Sequence, residues 1–255
     1  MYDFQLELEQ LDALLQPYLR TGFFFVNIGA NDGVVADPTY PFIRKYGWRG
    51  IAVEPVPYVF DQLKKNYDGL DGVILEQAAV ADEETSFWYV EQGSGTIDYI
   101  AQGMGSLDKA RLLKTIGDNR LIAPLSSANP PFPKDLPPPV CVSHGHEGPL
   151  ISDDLEQFVT ELRPECLSFG QLMDKHAVER VDLVNIDVEG RDHDVFFSID
   201  FDRYRPNVMV LELVGLPEGQ AEAIRARLDQ LGYRFAQRFT IYSEIYVADP
   251  WVLHD

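Results

Sequence analysis

The chain has 255 residues, with 21 Lys and Arg against 41 Asp and Glu, for a formal net charge of −20. That length suits one large α/β domain and leaves room for a second small one. A field this negative repels polyanions, so nucleic acid and anionic membranes are excluded as expected partners; no Lys/Arg cluster opposes the average. No stretch reads as a transmembrane span or a signal peptide, and Cys141 and Cys166 have neither metal-type nor redox-type spacing, so a reducing, cytoplasmic setting is expected.

Residues 1–22 carry Leu8, Leu11, Leu14, Leu15, Tyr18 and Leu19 at helical spacing, which predicts a docking helix ending near Thr21-Gly22. The main domain is then residues 23–255. Phe23 to Val26 predicts a strand buried on both faces, breaking into Gly29-Ala30-Asn31-Asp32-Gly33 before an aromatic, helix-compatible segment. A buried strand, a glycine turn and a helix together bring backbone N–H groups close to a nucleotide-like ligand, although the same stretch also reads as a turn without one. A second strand, Arg49 to Val53, ends at Glu54 and Pro55. Glu54 follows Gly33 by about the spacing that separates a glycine turn from a ribose-binding acid. One carboxylate can accept from both vicinal hydroxyls of a ribose; the plainer alternative is a Glu that caps the next helix, Val56 to Tyr67.

Val73 to Glu76 predicts the third strand, with Gln77 and Ala78 at its carboxyl end where a flat base can lie. Ser86 to Val90 predicts a further strand, at an edge. From Glu91 to about Pro149 the periodicity stops. The segment holds a short helix, Leu107 to Ile116, and the run NPPFPKDLPPPV, and its length marks it as an insertion that covers or shapes a site. His144 and His146 close it; they could bind a transition metal or supply a base, and isolated loop histidines commonly do neither. Ile151 to Leu162 reads as a helix with Ser152 at its N-cap, and Ser168 begins another.

The second informative stretch is Val181 to Gly190, a buried strand ending in Asp187 and Glu189. Residues two apart face the same way only while the backbone stays extended, so both carboxylates line one cleft or Glu189 turns to cap the following helix. Asn207 to Leu213 predicts a fifth parallel strand with Glu212 near its exit. Glu218 to Leu231 is a helix stopped by Gly232, and the tail alternates as an antiparallel hairpin. The fold class expected is doubly wound, Rossmann-like α/β, mostly parallel, with an antiparallel C-terminal hairpin and a long insertion at about 91–150.

With F-V-N-I-G-A-N-D-G at Phe25–Gly33, G-I-A-V-E-P at Gly50–Pro55, V-D-L-V-N-I-D-V-E-G at Val181–Gly190 and the later V-L-E-L, the chain resembles the FkbM family of S-adenosylmethionine-dependent methyltransferases. The resemblance implies that Gly29, Ala30, Asn31 and Gly33 wrap the methionine part of S-adenosylmethionine, that Glu54 holds its ribose, and that Gln77 and Ala78 flank its adenine. It places Asn27 where the family usually has an acid, keeping an acceptor oxygen for the cofactor side, and Asn185 where a Lys is common.

Methyl transfer from a sulfonium needs alignment and, for a hydroxyl acceptor, a place for the proton. Asp187 is the first candidate for base or orienting acceptor, followed by Glu189 and Glu212, with His144 or His146 behind them. The expected function is O-methylation of a small molecule, sugar or natural-product intermediate. A divalent metal held by Asp187 and Glu212 is a variant that is not favoured. The rival from another class is a non-catalytic module that binds S-adenosylmethionine or a sugar. A nicotinamide dehydrogenase fits less well, because the turn lacks a full G-x-G-x-x-G.

Overall fold

The computed structural model describes residues 4–34, 37–90, 105–119, 156, 159–239 and 243–248. The N-terminal helix α1 (Phe4–Leu15) runs into a single 3-10 turn, Gln16–Tyr18. It buries Leu8, Leu11, Leu15 and Tyr18, the apolar stripe that the sequence spacing predicts. Polar contacts fix its docking: Lys45 Nζ and the Tyr46 hydroxyl reach Asp12 at 2.8 and 2.6 Å, and the Tyr18 hydroxyl donates to the Ala248 carbonyl at 2.8 Å.

The first half of the main sheet follows as β1 (Phe24–Ile28), α2 (Tyr40–Tyr46), β2 (Arg49–Val53), α3 (Pro57–Asn66) and β3 (Val73–Glu76). Pro57 opens α3 at a position whose N–H has no intrahelical partner in any case. Short pieces come next: β4 (Ala79–Val80), β5 (Phe87–Val90), β6 (Gly105–Ser106), α4 (Lys109–Asn119), β7 (Val159–Leu162) and β8 (Cys166–Leu167). The chain closes with α5 (Phe169–Lys175), β9 (Leu183–Ile186), α6 (Asp192–Phe197), β10 (Val208–Glu212), α7 (Gln220–Gln230), β11 (Tyr233–Phe239) and β12 (Ser243–Ala248). A capping box starts α5: the Ser168 side chain accepts from the Gln171 N–H, and the Gln171 side chain accepts from the Ser168 N–H.

The main sheet has seven strands in the order β11-β12-β10-β9-β1-β2-β3. Six run in the same direction, and β12 enters antiparallel between β10 and β11. This is the doubly wound, Rossmann-like sheet with an antiparallel hairpin at its end. The order reverses between β1 and β9, and ligands of open α/β sheets bind at such a switch point, outside the carboxyl ends of the strands. One face packs Val26, Ile28, Val184 and Ile186 against Phe169, Phe196 and Ile224 of α5, α6 and α7. The other packs Phe25, Leu183 and Val208 against α1, α2 and α3. With both faces covered, the central strands are near-continuous apolar runs, which is why they were legible in the sequence.

Two expected elements differ. Phe87–Val90 is not an edge strand, because it lies between β6 and β7 in a separate three-stranded sheet. Val159–Leu162 is β7 of that sheet and not the end of a helix. Phe87, its partner Leu162 and Tyr89 pack one face against Val56 and Val59 of the α3 region, a long-range contact that overrides the local helical pattern. Ser152, His144, His146 and Cys141 lie outside the described residues. Cys166 is a free thiol. No helix among the described residues is long and apolar enough to cross a membrane.

Candidate cofactor and acceptor site

The carboxyl ends of β1, β2, β3, β9 and β10 bring the expected site residues together. The turn after β1 is tightly wound: Gly29, Asn31 and Gly33 all have left-handed backbone, at φ 81°, 51° and 77°. A β-carbon on Gly29 would sit 1.8 Å from the Asp187 carbonyl oxygen, and one on Gly33 would sit 2.3 Å from the Tyr67 ring. The glycines therefore serve close approach as well as dihedral freedom. The turn does not offer its N–H groups to a ligand. Gly29 and Ala30 both donate to the Val53 carbonyl, Asn31 donates to Glu54 Oε2, Gly33 to the Ala30 carbonyl, and Asp32 and Val34 to side chains within the turn. Nor does a helix begin directly after it, since α2 starts only at Tyr40. The turn shapes space; donors must come from elsewhere.

Glu54 is only 5% exposed, so it is no surface cap. Its two oxygens accept from Asn31 N–H at 3.1 Å and from Val56 N–H at 2.8 Å. Burial pushes its carboxyl up to about 7, against those two hydrogen bonds. Each oxygen keeps a lone pair for a further donor, which is the chemistry a ribose diol requires. At the neighbouring strand end Gln77 is exposed and Ala78 is fully buried. Glu76 beside them is bound by Lys175 Nζ at 3.0 Å and has His176 Nε2 within 2.7 Å.

Asn27 turns its side chain into the protein. It is 1% exposed, and its amide is engaged inside the protein: Nδ2 donates to Asp37 Oδ2 at 2.9 Å, and Oδ1 accepts from Asn185 Nδ2 at 2.8 Å. Asn27 and Asn185 stand opposite each other in the parallel register of β1 and β9. The two amides thus meet in one hydrogen bond across adjacent strands, and Asn27 links that pair to the buried Asp37.

On the other side of the switch point, ligand oxygens of Asp187, Glu189 and Glu212 lie within 4.8 Å of one another. Glu189 reaches the cluster although its backbone is left-handed, at φ 54°, and not extended. Neither Asp187 nor Glu189 caps α6. Asp192, 1% exposed, holds this turn by accepting from Val188 N–H at 3.1 Å and Gly190 N–H at 2.9 Å. Burial raises all four carboxyls, and their mutual repulsion adds to it: Asp192 to about 7, Glu189 to about 8 and Glu212 to about 11. For Asp187, burial is opposed by the hydrogen bond with Glu212 and the charge of Arg111. The hydrogen bond they share raises Glu212 and lowers Asp187, so the two titrate as one pair in which the proton favours Glu212 and the charge favours Asp187, whose face is exposed.

A family model described as the methyltransferase FkbM domain matches residues 27–235. The chain belongs to the FkbM methyltransferase family. No curated protein matches it. Among solved structures, the human methyltransferase 10 domain containing protein is similar at 12% identity and a TM-score of 0.42, over 98% of this chain and 84% of that one. A precorrin-6y C5,15-methyltransferase from Geobacter metallireducens GS-15 is similar at 13% identity and a TM-score of 0.37, over 96% and 88%.

This FkbM protein has two site residues that sequence reading missed. Asp192 follows the expected carboxylates and looks like an ordinary first-turn acid; only its burial distinguishes it. Arg111 comes from α4, within the insertion. Its guanidinium lies against the Cα of Gly190 and donates through Nη1 to the Gly215 carbonyl, while its Nε is buried with no hydrogen-bond partner among the described residues. Beside it, Ser106 of β6 donates to the Glu189 carbonyl at 2.9 Å. The insertion thus grips the acidic turn directly. Glu212 Oε2 is likewise buried without a hydrogen-bond partner among the described residues.

Proposed function

We propose that the protein is an S-adenosylmethionine-dependent O-methyltransferase acting on a hydroxyl of a small molecule, sugar or natural-product intermediate. The observation that carries this reading is the backbone contact between Gly29 and Asp187, which sets the glycine turn directly beside the carboxylate cluster. The residues fit the cofactor at its ribose: Glu54 has acceptor capacity for the diol, and the Gly29–Gly33 turn, packed closely against Asp187 and Tyr67, lies beside it. Bound S-adenosylmethionine would supply an electrophilic methyl group on a sulfonium.

The chain's own residues have the remaining tasks. Asp187, the charged member of the cluster, receives the proton of the acceptor hydroxyl as its oxygen forms the new bond to carbon. Glu212, protonated, donates to Asp187 and holds it in place. Arg111 Nε, desolvated and unpartnered among the described residues, suits a group that accepts from it while its own proton faces Asp187, as a hydroxyl does. The acidic surface of the whole chain fits a small neutral acceptor better than nucleic acid.

The test has two stages. Calorimetric titration with S-adenosylhomocysteine examines the cofactor, and methyl-labelled S-adenosylmethionine with a panel of hydroxylated acceptors examines transfer. Binding without transfer to any acceptor would favour a non-catalytic binding module; absence of binding, together with tight dinucleotide binding, would favour a dehydrogenase.

A further inference from the structure

Asp37 is a buried acid beside the glycine turn to which the proposed chemistry gives no task. It is 5% exposed and makes no ion pair among the described residues, yet its four lone-pair sites are all filled. Oδ1 accepts from the Thr39 N–H and the Thr39 hydroxyl, each at 2.6 Å. Oδ2 accepts from Asn27 Nδ2 at 2.9 Å and the Tyr67 hydroxyl at 3.3 Å. These partners bracket the glycine turn. Asn27 lies in β1, immediately ahead of it, and the Tyr67 ring is the surface on which Gly33 rests. Asn27 also carries the network across to Asn185 in β9, the strand that leads to Asp187.

We infer that Asp37 is a positioning residue of the cofactor site, holding the Gly29–Gly33 turn at its start through Asn27 and at its end through Tyr67. The inference rests on the reading of that turn as an S-adenosylmethionine site. A buried carboxylate suits the task because it accepts four hydrogen bonds at once, and Asn in its place would turn a donor toward Asn27 or Tyr67.

The arrangement carries a pH consequence. Burial pushes the Asp37 carboxyl up to about 6, opposed by its bonds to Thr39, Tyr40 and Tyr67. The groups facing it are Asn27 from β1, Thr39 and Tyr40 at the start of α2, and Tyr67 after α3; the charges of Arg44 and Asp32 act on Tyr40. None supplies a cation to keep it ionised. A proton on Oδ2 sets a donor against the Asn27 amide or the Tyr67 hydroxyl, and one tether of the turn loosens.

Calorimetry with S-adenosylhomocysteine on the wild type and Asp37→Asn, at pH about 5.5 and about 7.5, tests this. The wild type is expected to lose affinity several-fold on acidification, and Asp37→Asn to bind about tenfold more weakly at the higher pH without that added loss. Glu54 also titrates in this range but is present in both proteins, so the difference between their profiles isolates Asp37. Equal affinities and parallel profiles overturn the inference. If the wild type binds no S-adenosylhomocysteine, the cofactor reading fails, and Asp37 is judged by hydrogen exchange at residues 29–33. Exchange there is expected to be faster in Asp37→Asn than in the wild type at the higher pH; equal protection overturns the inference.

Discussion

The carbonyl oxygen of Asp187 occupies the space of a missing β-carbon on Gly29, 1.8 Å from where that carbon would be, so the tips of β1 and β9 touch backbone to backbone. This contact fixes the distance between the two halves of the site. It also means that neither half can shift alone.

Replacing Gly29 by Ala tests the contact most directly. The left-handed backbone and the clash with Asp187 add, and the variant is expected to lose on the order of 2 kcal/mol or more of stability, together with S-adenosylhomocysteine binding. Circular-dichroism melting and calorimetry check both. A Gly29→Ala protein that melts and binds as the wild type does would refute the packing described here.

Arg111→Ala separates acceptor-side from cofactor-side roles. The guanidinium touches Gly190 and Gly215, on the side of the carboxylate cluster. Transfer to a working acceptor is expected to fall by at least about tenfold, with S-adenosylhomocysteine affinity nearly unchanged. Arg111→Lys should not rescue it, because a single ammonium cannot reproduce the planar fork that spans the crevice. Equal losses of transfer and cofactor binding would assign Arg111 to general structure instead.

The pH dependence of stability follows from the buried acids. Asp37 is raised to about 6, Glu54 and Asp192 to about 7 and Glu189 to about 8, in each case mainly by burial. A carboxyl with a raised folded-state value binds its proton more tightly in the folded than in the unfolded chain. Its protonation therefore favours the fold, and that stabilisation is lost as pH rises through those values. The protein is expected to melt about 5 °C higher near pH 6 than near pH 8.5, a shift worth on the order of 2 kcal/mol. A melting temperature that rises steadily between those pH values would contradict the burial of these groups. Below pH about 6, stability and cofactor affinity should move in opposite directions, because Asp37 gains a proton at the expense of the turn.

Asp187, Glu189 and Glu212 are close enough to hold a divalent ion, and protons can relieve the same repulsion. Burial and the neighbouring carboxylates raise Glu212, which favours a proton there, and the reading in which Asp187 takes the acceptor's proton needs no metal. Turnover in EDTA is accordingly expected to match turnover in Mg²⁺. An enzyme silenced by EDTA and restored by Mg²⁺ would move the cluster from proton acceptor to metal ligand set.

Much of this protein was decided by its sequence alone. Apolar runs ending in Gly29, Glu54, Asp187 and Glu212 mark strands buried on both faces, and a parallel sheet has to place such strand ends along one edge. The alternation of these strands with helices was enough to give the doubly wound fold. What local pattern could not supply was anything that depends on contacts between distant segments. Val159–Leu162 became a strand because it pairs with Phe87–Val90, some 70 residues away. Asn27 turned inward because Asn185 and Asp37 meet its amide. Asp192 and Arg111 look like ordinary surface charges when read in order along the chain; folding buries one beneath the acidic turn and lays the other across it. A hydrogen bond or a desolvated charge is a property of two places at once, and the chain brings those places together only in three dimensions.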